Sequence, residues 1–233
     1  MMDSFLSFES IMFLAAFLIS LLGFFLLGRR FRYAWLILMI EPLWLIGYYS
    51  FDILQAFSIS WVSYYYIIES TPVVLFLAKI IILGYGYSCW KNANIINYSP
   101  THKRTDILDD INVQHTTVAT QQLSSQTIMV PITFGIIGVA CLAFLKSFFF
   151  AHLGYGLNFY TMAFSLLEIG LLLGFYLLGK QYIEGWLVII FVTLGYQFIW
   201  GFSFHWTIFY PILQIGISIW GYIEWKKHIP HSN

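Results

Sequence analysis

The stretch LLGFFLLGRRFRYAWLILMI at 21–40 returns almost unchanged as LLGFYLLGKQYIEGWLVIIF at 172–191. Leu21, Leu22, Gly23, Phe24, Leu26, Leu27, Gly28, Trp35 and Leu36 find identical residues at Leu172, Leu173, Gly174, Phe175, Leu177, Leu178, Gly179, Trp186 and Leu187. A second phrase closes each half, Gly86-Tyr87-x-x-Trp90-Lys91 and Gly221-Tyr222-x-x-Trp225-Lys226. Self-similarity at this spacing implies one folding unit used twice, and within apolar sequence duplicated units commonly frame a substrate path at their interface.

The sequence between these phrases is strongly apolar. Hydrophobic residues make up 60% of the chain, aromatics 21% and charged residues 9%, which places it among integral membrane proteins. Apolar runs long enough to cross about 30 Å of hydrocarbon lie near 11–28, 33–50, 72–90, 128–150, 159–178, 185–200 and 207–225. They lack the two-residue alternation of a membrane barrel, so the expected class is all-α with seven transmembrane helices. Pro72, Pro131 and Pro211 are expected in first turns, where a missing N–H costs least. Residues 51–70 are too polar to span and rich in aromatics, with Trp61, Tyr64, Tyr65 and Tyr66 suited to the membrane boundary.

Three helices per copy would insert a directly attached second copy upside down, so one extra crossing is needed to restore its direction. Helix 128–150 is placed to supply it. The expected organisation is a first three-helix repeat at 1–90, a polar cytoplasmic connector at 91–127, the linking helix, and a second repeat at 159–228. This 3+1+3 plan of two parallel bundles is that of the SWEET sugar transporters. With the N-terminus outside and the C-terminus in the cytoplasm, Arg29, Arg30, Arg32, Lys91, Lys103, Arg104, Lys180, Lys226 and Lys227 face inward, Lys146 faces outward and Lys79 lies within the third helix. The acidic N-terminus, with Asp3 and Glu9, argues against a cleaved signal peptide.

Other chemistries find little purchase. A formal net charge of zero offers no basic surface for nucleic acid. Cys89 and Cys141 read as packing residues, and the six histidines form no HExxH or triad pattern. Gly174 to Gln181 imitates a phosphate loop but ends in Gln where a magnesium ligand is needed, so no cofactor is implied. Its glycines, like Gly170-x-x-x-Gly174, suit close helix contact.

Lys180-x-Tyr182-x-Glu184-x-Trp186, an apolar helix, and then Gly221-Tyr222-x-x-Trp225 resemble the C-terminal half of the PnuC-type vitamin transporters. The resemblance implies a SWEET-like fold in a cell inner membrane and facilitated diffusion of a vitamin or nucleoside such as nicotinamide riboside, with a cytosolic kinase trapping the solute. A homo-oligomer is compatible with it. The first half matches more loosely, since its Trp35–Trp90 tract is 16 residues longer than Trp186–Trp225, an excess placed at 51–70. The family's sixth helix reads Asn-Trp-x-x-Trp-x-x-x-Asn, whereas this chain has Gly185, Trp186, Ile189 and Thr193. One indole survives and the amide is a hydroxyl, which argues for a different flat vitamin.

The candidate substrate-binding residues are Trp186, Thr193, Tyr196, Gln197 and Trp200 on helix six, Glu41 and Trp35 on helix two, and Gln214 on helix seven. Thr193, Tyr196, Gln197 and Trp200 share one helix face; hydrogen-bonding glue between helices is the alternative. Trp35 and Trp186 are either stacking platforms or anchors at the inner interface. An ionisable residue at bilayer depth requires a partner or a cavity. Glu41, next to Pro42, is therefore either a functional carboxylate or a protonated structural one, with Lys79 either its partner or snorkelling. Glu168 is closer to the outer end. Two competing classes remain, a heptahelical receptor and an intramembrane enzyme. A retinal receptor is disfavoured because 207–225 contains no lysine, and an enzyme needs a second ionisable group converging on Glu41.

Overall fold

The computed structural model describes residues 8–57, 63–96, 129, 133, 135–144, 159–200 and 209–227. Its helices are α1 (Phe8–Gly28), α2 (Ala34–Phe57), α3 (Ser63–Ile96), α4 (Gly135–Phe144), α5 (Phe159–Gly179), α6 (Glu184–Trp200) and α7 (Phe209–Lys226). No strand occurs among the described residues, in keeping with the all-α expectation. By length and apolarity alone, two stretches qualify as crossings, Val73–Lys91 and Met162–Gly179; the other apolar helices are shorter within the described residues.

The two copies of the repeated segment make the same turn. After α1, Arg30 N–H donates to Leu27 O and Phe31 N–H to Leu26 O; after α5, Gln181 N–H donates to Leu178 O and Tyr182 N–H to Leu177 O. This pair of bonds, one closing three residues and one closing five, is a Schellman ending. It requires a left-handed residue, and Arg30 (φ 63°) and Gln181 (φ 69°) take that role although neither is glycine. Each accepts roughly 1–2 kcal/mol of backbone strain. The following helix then starts on equivalent bonds, Ala34 to Phe31 and Trp35 to Arg32 in one copy, Gly185 to Tyr182 and Trp186 to Ile183 in the other.

The glycines of the repeat serve packing. A Cβ on Gly23 would lie 2.7 Å from Leu38, and one on Gly174 would lie 2.8 Å from Ile189, the matching position of the second copy. Gly86 accommodates the Trp35 ring and Gly221 the Trp186 ring. Gly28 and Gly179 face the opposite half, where a Cβ on Gly28 would meet Trp220 at 2.5 Å and one on Gly179 would meet the Gly86 Cα at 3.0 Å.

Helix contacts close into a ring in the order α1, α2, α3, α5, α6, α7 and back to α1. Each helix of one half therefore stands opposite its counterpart in the other: α1 opposite α5, α2 opposite α6, α3 opposite α7. Helix α4 lies against α5, with Gly138 beside Ile169. The ring's exterior is apolar. Phe198 is 82% exposed and Ile81 71% exposed, whereas Glu41 and Lys79 are buried. Such a distribution suits surrounding hydrocarbon.

Several boundaries differ from expectation. Residues 51–57 extend α2 and 63–71 begin α3, so most of the tract read as an interfacial segment is helix. The excess of the first half is carried as longer helices, whose backbone polar groups are satisfied internally. Pro72 consequently lies inside α3, while Pro211 does sit in the first turn of α7. Helix α3 also runs on to Ile96, beyond the expected end at 90. Cys89 packs against the core, but Cys141 is exposed on α4. Pro131, Lys146, the six histidines and connector residues 97–127 lie outside the described residues.

The contact between Gly179 and Gly86 is backbone against backbone and cannot be relieved by a rotamer change. Gly179→Ala should lower the thermal unfolding midpoint of the purified protein, by an overpacking cost of about 1–3 kcal/mol. Gly47→Ala, at a position with nothing within 4 Å, should leave it within error or raise it.

Candidate functional site

Four indoles from four different helices fill the ring's interior at one end. Trp35 (α2) meets Trp90 (α3) edge-on at 5.7 Å, Trp90 meets Trp225 (α7) at 5.7 Å, and Trp225 meets Trp186 (α6) edge-on at 5.7 Å. All four are essentially fully buried. The central contact joins opposite helices, as does the stack of Phe24 (α1) on Phe175 (α5) at 5.6 Å. Edge-to-face and offset geometries of this kind add about 0.5–1.5 kcal/mol per pair to the area they bury.

The two central indoles also tie the halves together. Trp225 Nε1 donates to Leu27 O at 3.3 Å, and Trp90 Nε1 donates to Leu178 O at 3.3 Å. Each acceptor is a last-turn carbonyl that already receives the turn's own N–H, so both of its lone pairs are occupied. Arg30 adds a contact from the first turn, with Nη2 3.5 Å from Trp225 O and its guanidinium 5.9 Å from the Trp225 ring. Burial lowers its pKa below the ordinary arginine value, with the Glu224 charge opposing. By contrast, the buried Nε1 atoms of Trp35 and Trp186 have no partner among the described residues. These two donors occupy matching positions of the repeat.

About 9–17 Å along the helices from this layer, at 1.5 Å per residue, lie the buried polar side chains Ser20, Glu41, Lys79, Thr193, Gln214 and Ser218. Lys79 Nζ donates to Glu41 Oε2 at 3.0 Å, linking α3 to α2. The same ammonium sits 5.6 Å from the Phe175 ring on α5, in the interior where Phe175 stacks on Phe24. Glu41 is close enough to Tyr210 on α7 to act on it electrostatically. Tyr210 in turn places its hydroxyl 3.4 Å from Ser20 Oγ and stacks on Phe17. Ser218 Oγ has no partner among the described residues.

The residues singled out in the sequence thus separate into groups. Trp35 and Trp186, both fully buried, meet in the indole layer through Trp90 and Trp225. Glu41 pairs with Lys79, so Lys79 does not snorkel. Gln214 is buried on α7. Thr193 is buried but donates to Ile189 O one turn back at 2.8 Å, the local bond that hydroxyls commonly make in helices. Tyr196 packs on Phe164 of α5 at 6.2 Å and lies near Glu168; Gln197 is half-buried. The side chain of Trp200 lies outside the described residues. Sequence reasoning passed over Trp90, Trp225, Phe24 and Phe175 as site residues, although the repeated Gly-Tyr-x-x-Trp and LLGF phrases held the signal.

No family model and no curated protein matches the chain. Among solved structures its fold matches the crystal structure of the Vitamin B3 transporter PnuC with a TM-score of 0.57, at 16% identity, over 92% of this chain and 80% of that one. The fold is therefore PnuC-like.

The hydrogen-bonding contrast within the indole layer is testable. Trp225→Phe strips a buried carbonyl of its second donor and should cost about 0.5–1.5 kcal/mol of stability for the lost hydrogen bond. Trp186→Phe removes an N–H with no partner and should cost clearly less; thermal unfolding of the two variants side by side decides it.

Proposed function

We propose that this chain is a polytopic membrane transporter that moves a small, flat, vitamin-like or nucleoside solute by facilitated diffusion. The observation that carries the reading is the paired interior of the ring. Opposite helices meet through Trp90–Trp225 and Phe24–Phe175, and the unpartnered donors of Trp35 and Trp186 stand ready beside aromatic faces. An aromatic solute with hydrogen-bonding groups matches such a lining. The PnuC-like fold agrees with this assignment and makes the B3 vitamins the first solutes to try.

In this reading the two three-helix units sit parallel in the inner membrane, joined by 128–150 in a 3+1+3 topology, with the N-terminus outside. The indole layer closes the cytoplasmic end, where Arg29, Arg30, Lys91, Lys180, Lys226 and Lys227 flank it in sequence. Rocking one unit against the other separates Trp90 from Trp225 and opens that end. A cytosolic kinase supplies direction by trapping the solute. Substrate contacts come from Trp186, Trp35, Glu41 and Gln214, and from Thr193, Tyr196, Gln197 and Trp200 further along α6. The second ionisable group at Glu41 is Lys79.

Proteoliposomes should take up labelled nicotinamide or a related vitamin or nucleoside without ATP, and Trp186→Ala should weaken binding by roughly 1–3 kcal/mol, the range for stacking on an aromatic side chain. Absence of uptake across such a panel rejects the assignment. Reporter fusions in 91–127 and after Lys227 should read cytoplasmic and those at 151–158 external; a cytoplasmic reading at 151–158 rejects the topology.

A further inference from the structure

The buried ion pair belongs to one half alone. Glu41 stands six residues after Trp35, and the residue six after Trp186 is Val192; Lys79 stands eleven before Trp90, and the residue eleven before Trp225 is Gln214. The duplicated frame therefore holds a carboxylate and an ammonium 3.0 Å apart on one side and a valine and an amide at the matching places on the other. Both charged groups are buried, and no other charged side chain is buried among the described residues. Glu168 is only partly covered and lies with Tyr196 at the α5–α6 contact. Through Phe175 the pair borders the interior described above.

The sum of these charges is zero, and that sets a condition on any solute entering the interior. A solute with net charge brings an ion into a low-dielectric region where the opposite buried charge among the described residues is already neutralised, so its desolvation is not repaid. A neutral heteroaromatic leaves the balance unchanged. A zwitterion can exchange partners, its cation with Glu41 and its anion with Lys79. Gln214, opposite, offers a donor and an acceptor without charge. We propose that Glu41 and Lys79 form a charge-balance filter that admits solutes of zero net charge and rejects permanently cationic or anionic ones. The inference rests on the transporter reading and narrows its solutes to those of zero net charge, so that nicotinamide riboside, whose N-glycosyl pyridinium is a permanent cation, is excluded.

Four probes sharing one ring separate charge from shape: nicotinamide (neutral), N-methylnicotinate (zwitterionic), nicotinate (anionic) and N1-methylnicotinamide (cationic). Calorimetric titration of the full-length protein in nanodiscs should show the first two binding at least ten-fold tighter than the last two. Lys79→Gln should shift preference ten-fold or more toward the cation and Glu41→Gln toward the anion. The exchange Glu41→Lys with Lys79→Glu should restore the preference for zero net charge, and it serves with the parent should either single variant fail to fold. A parent that prefers the cation or the anion overturns the filter, as do folded single variants that do not shift in opposite directions, or an exchanged protein that favours one sign. If the parent binds none of the four, the vitamin-transport reading falls and the filter with it; binding with the wrong charge order overturns the filter alone.

Discussion

The structure depends on two hydrogen bonds that cross between its halves, from the Trp225 indole to Leu27 O and from the Trp90 indole to Leu178 O. A helix end leaves carbonyls without partners, and inside a bilayer water is not there to satisfy them. Leu27 O and Leu178 O each take one N–H from their own turn, and the opposite half supplies the second donor. Because the donors are large rings, the same side chains that cap the helices also fill the interior, so closure of the ring and closure of one end share a cause. The glycines follow from it: Gly86 and Gly221 provide the space that Trp35 and Trp186 occupy, and Gly28 and Gly179 bring the halves to van der Waals distance.

Within this repeated frame the buried ion pair is confined to one half. A buried ion pair is costly to assemble and costlier to break on one side, since an unpaired charge then remains in low dielectric. Replacement by apolar residues of similar size would generally be tolerated for stability, and the matching position of Glu41 in the second half is indeed Val192. The repeated frame is thus built without such a pair in its second half. Around the pair, the Phe175 ring lies 5.6 Å from the ammonium and the carboxylate acts electrostatically on Tyr210.

Much of the fold was legible in the residues. Helical class, the positions of α1, α5, α6 and α7, and the correspondence of Trp35 with Trp186 followed from apolar runs and the repeated phrases. The first half was less legible because its extra residues lengthen α2 and α3, and polar composition near the membrane boundary does not distinguish a long helix from an interfacial loop. The candidate site was half legible. Trp186 and Glu41 could be named, since an aromatic per repeat and a carboxylate at bilayer depth are both local anomalies. Trp90 and Trp225 were visible only as signature residues, because what makes them central is their meeting across the ring.

The sequence by itself determined periodicity, helix class and which positions of the two halves correspond, since each is written in local spacing and in the identity of short segments. Only the tertiary structure decided that Lys79 is the partner of Glu41, that Tyr196 turns toward Phe164 and Glu168 on α5, and that two of four tryptophans spend their N–H on the opposite half. It also decided that Arg30 and Gln181, not the nearby glycines, take the left-handed turn position. The glycines are held back because a side chain at Gly28 or Gly179 would keep the two halves apart, and that constraint is invisible until helices distant in sequence are brought into contact.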